Sequence, residues 1–136
     1  MRLAPLLVIL APAVAAADLP SPRLERVFPL GAAAGSAVEV EVSGNDLDEP
    51  KILLFDHPGI KAEPLKDRKF KVTVAADVPE GTYDARVVGK HGVSSPRLFA
   101  VSHGLTEVEE KEPNDEPATA QGVAVNSAVS GTPDRN

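Results

Sequence analysis

Residues 38–42 read VEVEV, so Val38, Val40 and Val42 share one face of an extended strand while Glu39 and Glu41 take the other. The same period of two recurs at residues 70–74 (FKVTV) and 83–87 (YDARV), giving each segment one face suited to a core and one suited to water. Strands with a single wet face predict antiparallel sheets. Shorter candidates at 23–28, 51–55, 59–62 and 97–101 bring the expected total to about seven strands, spaced at roughly 8 to 12 residues. No stretch between Pro20 and Ser102 carries a helical period. The fold class expected is all-β: an antiparallel β-sandwich over residues 23–102.

Turn chemistry agrees with this division. Gly31 and Gly35 flank a small-residue loop, Gly44, Asn45 and Asp46 stop the strand that begins near Val38, and Pro79, Glu80 and Gly81 lead into Tyr83. Gly89-Lys90-His91-Gly92 has the composition of a hairpin loop between the last two strands. Tyr83 follows a turn at the start of a late strand, which suits either a tyrosine corner, where the hydroxyl bonds back to the backbone, or a half-buried aromatic. Both roles are structural.

The start of the chain changes the picture of where the domain works. Arg2 is followed by an uncharged run to Val14 and then by Ala15, Ala16 and Ala17 before Asp18, which reads as a secretory signal peptide over residues 1–17 with an A-x-A cleavage site. The run is shorter than the roughly 20 residues that span a bilayer, and no Cys follows for lipidation. Residues 18–22 form a Pro-rich lead-in. The expected location is exported: periplasmic, cell-surface or extracellular, with no membrane insertion after cleavage. Without its leader the chain carries 13 basic and 20 acidic residues, a net charge of −7, which repels nucleic acid and anionic lipid. With no cysteine there is neither a disulfide staple nor a thiolate zinc site, so stability must come from packing.

Candidate chemistry is sparse. There is no Cys nucleophile, no G-x-S-x-G elbow and no H-x-x-x-H pair, and His57, His91 and His103 fall in three separate loops. Ser36, Ser94 and Ser95 fall at strand ends as turn formers. The acidic residues alternate with valines on wet strand faces or crowd the C-terminal stretch, with nothing to raise the pKa of one of a pair. Residues 45–49 (NDLDE) offer oxygens but lack the Gly and closing Glu of an EF-hand loop, so turn formation explains them. The run Lys66-Asp67-Arg68-Lys69 is broken by its aspartate and has no interleaved aromatics, unlike a nucleic-acid patch. No catalytic residue and no resident cofactor are expected, and the protein is not expected to be an enzyme.

Two resemblances add to this reading. The residues VFPLG (27–31), GSAVEV (35–40), VSGNDL (42–47) and VPEGTYDARV (78–87) resemble the small Ig-like modules of the IPT/TIG type in secreted bacterial proteins, which implies a sandwich without implying an activity. Further on, EKEPNDEPATAQGVAVNSAVSGTPDRN resembles the opening of a bacterial pre-peptidase C-terminal domain, a β-sandwich often attached to secreted peptidases. That likeness covers residues 112–134 and only the start of such a domain. Residues 103–136 are therefore expected to be an acidic linker and an incomplete second module, with residues 107–136 mobile in isolation and at most a short strand near 123–125. Some members of that family, notably the collagen-binding domains of clostridial collagenases, hold calcium through this opening. The resemblance implies Glu110, Glu112, Asn114 and Asp115 as calcium ligands in an intact parent protein, with Asp134 a weaker candidate.

The function expected is that of a secreted or cell-surface spacer or interaction module, monomeric, at the front of a larger multidomain protein, with a protein or polysaccharide partner. The alternative is the non-catalytic front of a secreted peptidase or other hydrolase. A sugar platform needs exposed rings, whereas Phe28, Phe55, Phe70, Tyr83 and Phe99 are the only aromatics and most fall at core positions. The strand register makes a direct prediction. Val40→Asp places an unpaired charge on the core face and abolishes folding, whereas Glu41→Lys is nearly silent. Thermal melts of the two variants check this, and equal midpoints would overturn the register.

Overall fold

A computed structural model describes residues 19–131. The signal-peptide segment and Asp134 lie outside the described residues. Within them the chain forms β-strands and no helix: β1 (Arg23–Phe28), β2 (Gly31–Ala33), β3 (Ala37–Asn45), β4 (Ile52–Phe55), β5 (Ile60–Pro64), β6 (Lys69–Val74), β7 (Gly81–Gly89), β8 (Gly92–Val93), β9 (Arg97–Ser102), β10 (Thr106–Glu109) and β11 (Ser127–Ser130). All seven expected strands are present.

Strands β1 to β9 form two layers over one core, and β10 and β11 a separate pair. The first sheet has the order β1-β3-β6-β5, and the second the order β2-β9-β7-β4, with β8 also paired to β7. Alternation delivers every second side chain inward. Val40 and Val42 of β3, Phe70, Val72 and Val74 of β6, Ala85 and Val87 of β7, and Phe99 and Val101 of β9 are all buried in one cluster. Phe55 and Phe99 meet edge to face, with ring centroids 5.2 Å apart. Each buried Val or Phe contributes on the order of 1.5–3 kcal/mol on leaving water. Leu47 is buried too, although the NDLDE loop that carries it is polar on either side.

The structure departs from the sequence reading at the crossings. The expected small-residue loop 31–35 contains β2, which pairs in parallel with β9, so the second sheet is not purely antiparallel. The chain leaves the first sheet at Phe28, passes a cis Phe28–Pro29 bond and enters the second sheet at Gly31. A Cβ at Gly31 would strike the carbonyl oxygen of Ala100, so only glycine lets these backbones approach. Between Gly89 and Gly92 the two-residue loop closes a hairpin as expected, but onto the short β8, after which β9 continues along the same side of β7. Residues 103–136 also hold more than a linker. β10 and β11 pair in parallel, Thr106 opposite Ser127 through Glu109 opposite Ser130. The strand expected near 123–125 therefore lies at 127–130, and Val125 is exposed.

Two side-chain bonds fix β7. The Tyr83 hydroxyl donates to the Pro79 carbonyl at 2.7 Å, which decides between the two roles open to it: it makes a tyrosine corner. Ser94, itself buried, accepts from the Val87 N–H at 3.0 Å and donates to the Ser95 carbonyl at 2.8 Å. Removing the Ser94 hydroxyl strands a buried backbone donor, so Ser94→Ala should destabilise the fold by about 1–3 kcal/mol. Urea unfolding measures this, and an unchanged midpoint would mean that Val87 has another partner.

Candidate functional site

The groups from which chemistry could be built are in structural use. His57 Nδ1 accepts from the Gly59 N–H at 3.1 Å, and its ring lies edge-on to Tyr83. His91 Nε2 is 3.0 Å from Asp48 Oδ2, and His103 Nε2 is 2.7 Å from the Val78 carbonyl, to which it can only donate. In the NDLDE loop the three polar side chains at its start point to different partners. Asn45 donates to Glu25, Asp46 accepts from the Ser21 N–H, and Asp48 meets His91. Asp67 and Arg68 sit in the tight turn between β5 and β6, both with positive φ. Among the described residues no three or more His, Cys, Asp or Glu side chains gather as a metal site would require.

Three of the four residues named as calcium ligands are neighbours. Asn114 Nδ2 donates to Glu110 Oε1 at 2.9 Å, and the Asn114 N–H donates to Glu112 Oε2 at 3.0 Å. Asp115 lies exposed in the next bend. Gln121 ties this loop down, accepting from the Lys111 N–H at 2.8 Å and donating to the Glu109 carbonyl at 3.1 Å. The loop follows β10 directly, and the Glu110 N–H extends the ladder to the Ser130 carbonyl at 3.0 Å. Where the small sheet meets the end of β1, a cleft of about 190 Å³ opens between Phe28, Pro29, Val108 and Ser130. Arg26 lies over the Phe28 ring, 4.7 Å from its centroid, at a neighbouring cleft rimmed by Glu110 and Glu112.

The outer faces of the two sheets differ sharply. On the first sheet, cross-strand rows alternate in sign: Glu39 faces Lys71, which faces Glu63, and Glu41 faces Lys69. Lys69 Nζ also reaches Glu39 Oε1 diagonally at 2.8 Å, which raises the pKa of the ammonium above its ordinary 10.5. This face is ordinary solvated sheet. The second sheet is aliphatic on its outside. Because Leu53, Ala85, Val87 and Phe99 point inward, their neighbours Ile52, Leu54, Val88 and Leu98 point outward. Ile52, Val88 and Val93 form one cross-strand row. Ile52, Leu54, Val93 and Leu98 are between 45% and 61% exposed. A single ion pair, Arg86 to Asp84 at 3.2 Å, sits in their midst, with Asp56 beside Asp84 accepting its N–H at 2.9 Å.

At the β2 end of this face, a groove of about 350 Å³ separates the second sheet from β11, walled mainly by Leu30, Ala100, Leu105 and Val129, with Glu80 and Glu107 also lining it. The sequence reading did not find this surface, although ILLF at 52–55 carries its signal: an unbroken apolar run cannot bury both faces on an edge strand.

No family model matches the chain, and no curated protein matches it. The IPT/TIG and pre-peptidase resemblances thus have no counterpart among family models. Among solved structures, the chain is similar to the Bacteroides ovatus mixed-linkage glucan utilization locus (MLGUL) SGBP-B in complex with mixed-linkage heptasaccharide, with 18% identity and a TM-score of 0.44. That likeness covers 66% of this chain and 24% of the other, so this chain spans about a quarter of the length of its counterpart.

Proposed function

We propose that the chain is a non-catalytic, exported Ig-like module of a larger secreted or cell-surface protein, and that it binds a protein partner through the outer face of its second sheet. One observation carries this reading: of two sheets built on the same alternation, one is charged on its outside and the other is aliphatic. Contiguous exposed apolar area of this kind marks interaction surfaces. A protein partner fits better than a polysaccharide, because the face presents aliphatic side chains and no ring. Phe70 and Phe99 are buried, and Phe55 and Tyr83 pack on the core. Among the described residues no helix is long and apolar enough to cross a membrane.

The same proposal assigns residues 1–17 to a signal peptide and residues 103–136 to the opening of a second sandwich. In a complete second domain, Glu110, Glu112 and Asn114, already hydrogen-bonded together, and Asp115 would turn oxygens to calcium.

Two measurements test the binding face. The double variant Leu54→Lys, Leu98→Lys removes exposed side chains that no core contact needs, so its stability should stay within about 0.5 kcal/mol per site of the parent. A larger loss in thermal melts would mean that the side chains hold the fold. A photo-crosslinking benzophenone at position 93, irradiated on the cells that produce the protein, should give a discrete adduct that the double variant loses, while a probe at position 39 on the charged sheet gives none. Equal adduct patterns at 93 and 39, or none at 93, would overturn the assignment of this face.

A further inference from the structure

We propose that the occupant of this face is a second copy of the chain, held face to face in an isologous dimer. The inference rests on the binding face just assigned and goes further by naming what covers it. Its ground is the charge pattern. The chain as a whole carries a net charge of −6, so two copies repel unless opposite charges are brought together. On the outer face of the second sheet the charges form two successive rungs: Asp84 and Asp56 lie opposite each other on one, and Arg86 lies on the next, beside Leu54. Such a pattern is complementary to itself when reversed. A two-fold axis lying in the interface, across the strands and between these rungs, sets Arg86 of each copy over the aspartates of the other. The axis parallel to the strands would set Arg86 over Arg86 and is disfavoured.

The apolar residues obey the same operation. Reversal carries the Ile52–Val88–Val93 row of one copy toward the Ala100 end of the other, where the groove of about 350 Å³ between Leu30, Ala100 and Val129 opens. One end of the face is a ridge of aliphatic side chains and the other end is a groove, and a two-fold brings each to its complement twice. Sheets packed in this way interdigitate their side chains about 10 Å apart, the same geometry the two layers of each copy use internally. The dimer departs from the monomer expected from sequence: that expectation assigns a wet face to the strands at 38–42, 70–74 and 83–87, and the outer positions of β4 and β9 beside the last of these are Ile52, Leu54 and Leu98.

Sedimentation equilibrium of the purified chain tests the dimer, with thermal melts run in parallel to confirm folding. The parent chain should sediment at twice its monomer mass in the micromolar range, and the Leu54→Lys, Leu98→Lys variant as a monomer. Asp84→Arg and Arg86→Asp, taken singly, oppose like charges across the axis and should weaken association by about tenfold or more. The double reversal Asp84→Arg, Arg86→Asp restores opposite charges and should restore association. A monomeric parent, a dimer indifferent to the lysine variant, or single reversals indistinguishable from the double would overturn the dimer. The failure is separable from that of the binding face: an adduct from position 93 with a protein of different mass keeps the face and removes the second copy, whereas absence of any adduct removes both.

Discussion

Everything in this molecule depends on filling one apolar slab between two sheets by strict alternation. The chain has no cysteine, so no cross-link limits the unfolded ensemble and the fold rests on how completely side chains such as Val40, Val72, Phe70, Val87 and Phe99 leave water. Alternation has a second consequence. Every residue committed inward leaves its two neighbours outward, and the core is indifferent to what they are. The first sheet fills those positions with Glu39, Glu41, Lys69 and Lys71, which a sheet facing water requires. The second fills them with Ile52, Leu54, Val88 and Leu98. The core gains nothing from the second choice, and the binding face proposed above accounts for it.

The long strands were legible because each repeats its period several times: β3, β6 and β7 each carry several alternations, and no helical reading competes. β2 was not, because Gly31, Ala32 and Ala33 have no strand propensity and are held by parallel pairing to β9, a partner far along the chain. β10 failed for a different reason. Thr106 to Glu109 alternates around Val108, but the acidic residues that follow made the segment read as solvated linker, and its partner β11 lies beyond a long irregular crossing. The candidate face was half legible. ILLF at 52–55 and the RLFAV run at 97–101 break the alternation seen elsewhere, yet only the pairing of β4 and β9 on either side of β7 shows that Leu54 and Leu98 share one surface. The calcium candidates illustrate the converse. Their spacing was readable, and the turn does bring Glu110, Glu112 and Asn114 together, but no sequence pattern foretold that the Asn114 amide and N–H would bind both carboxylates.

The position of the face on strands rather than loops has an energetic meaning. Binding through loops requires ordering them first, at about 0.5–1.5 kcal/mol for each immobilised side chain with many rotamers. Here the central strand, β7, is already fixed on every side. Tyr83 is anchored to Pro79, the Asp84 N–H to Asp56, and the Val87 N–H to buried Ser94. Its outward residues Asp84, Arg86 and Val88 are therefore held in place by the same bonds that hold its inward residues in the core. β-branched Val88, Val93 and Ile52 add little side-chain entropy of their own to lose. By contrast, the polar loop 45–49, the more obvious recognition candidate by composition, has Asn45, Asp46 and Asp48 already bonded within the domain. A surface that is preorganised and largely aliphatic suits association, and the strand that builds it cannot be altered inward without losing the surface outward.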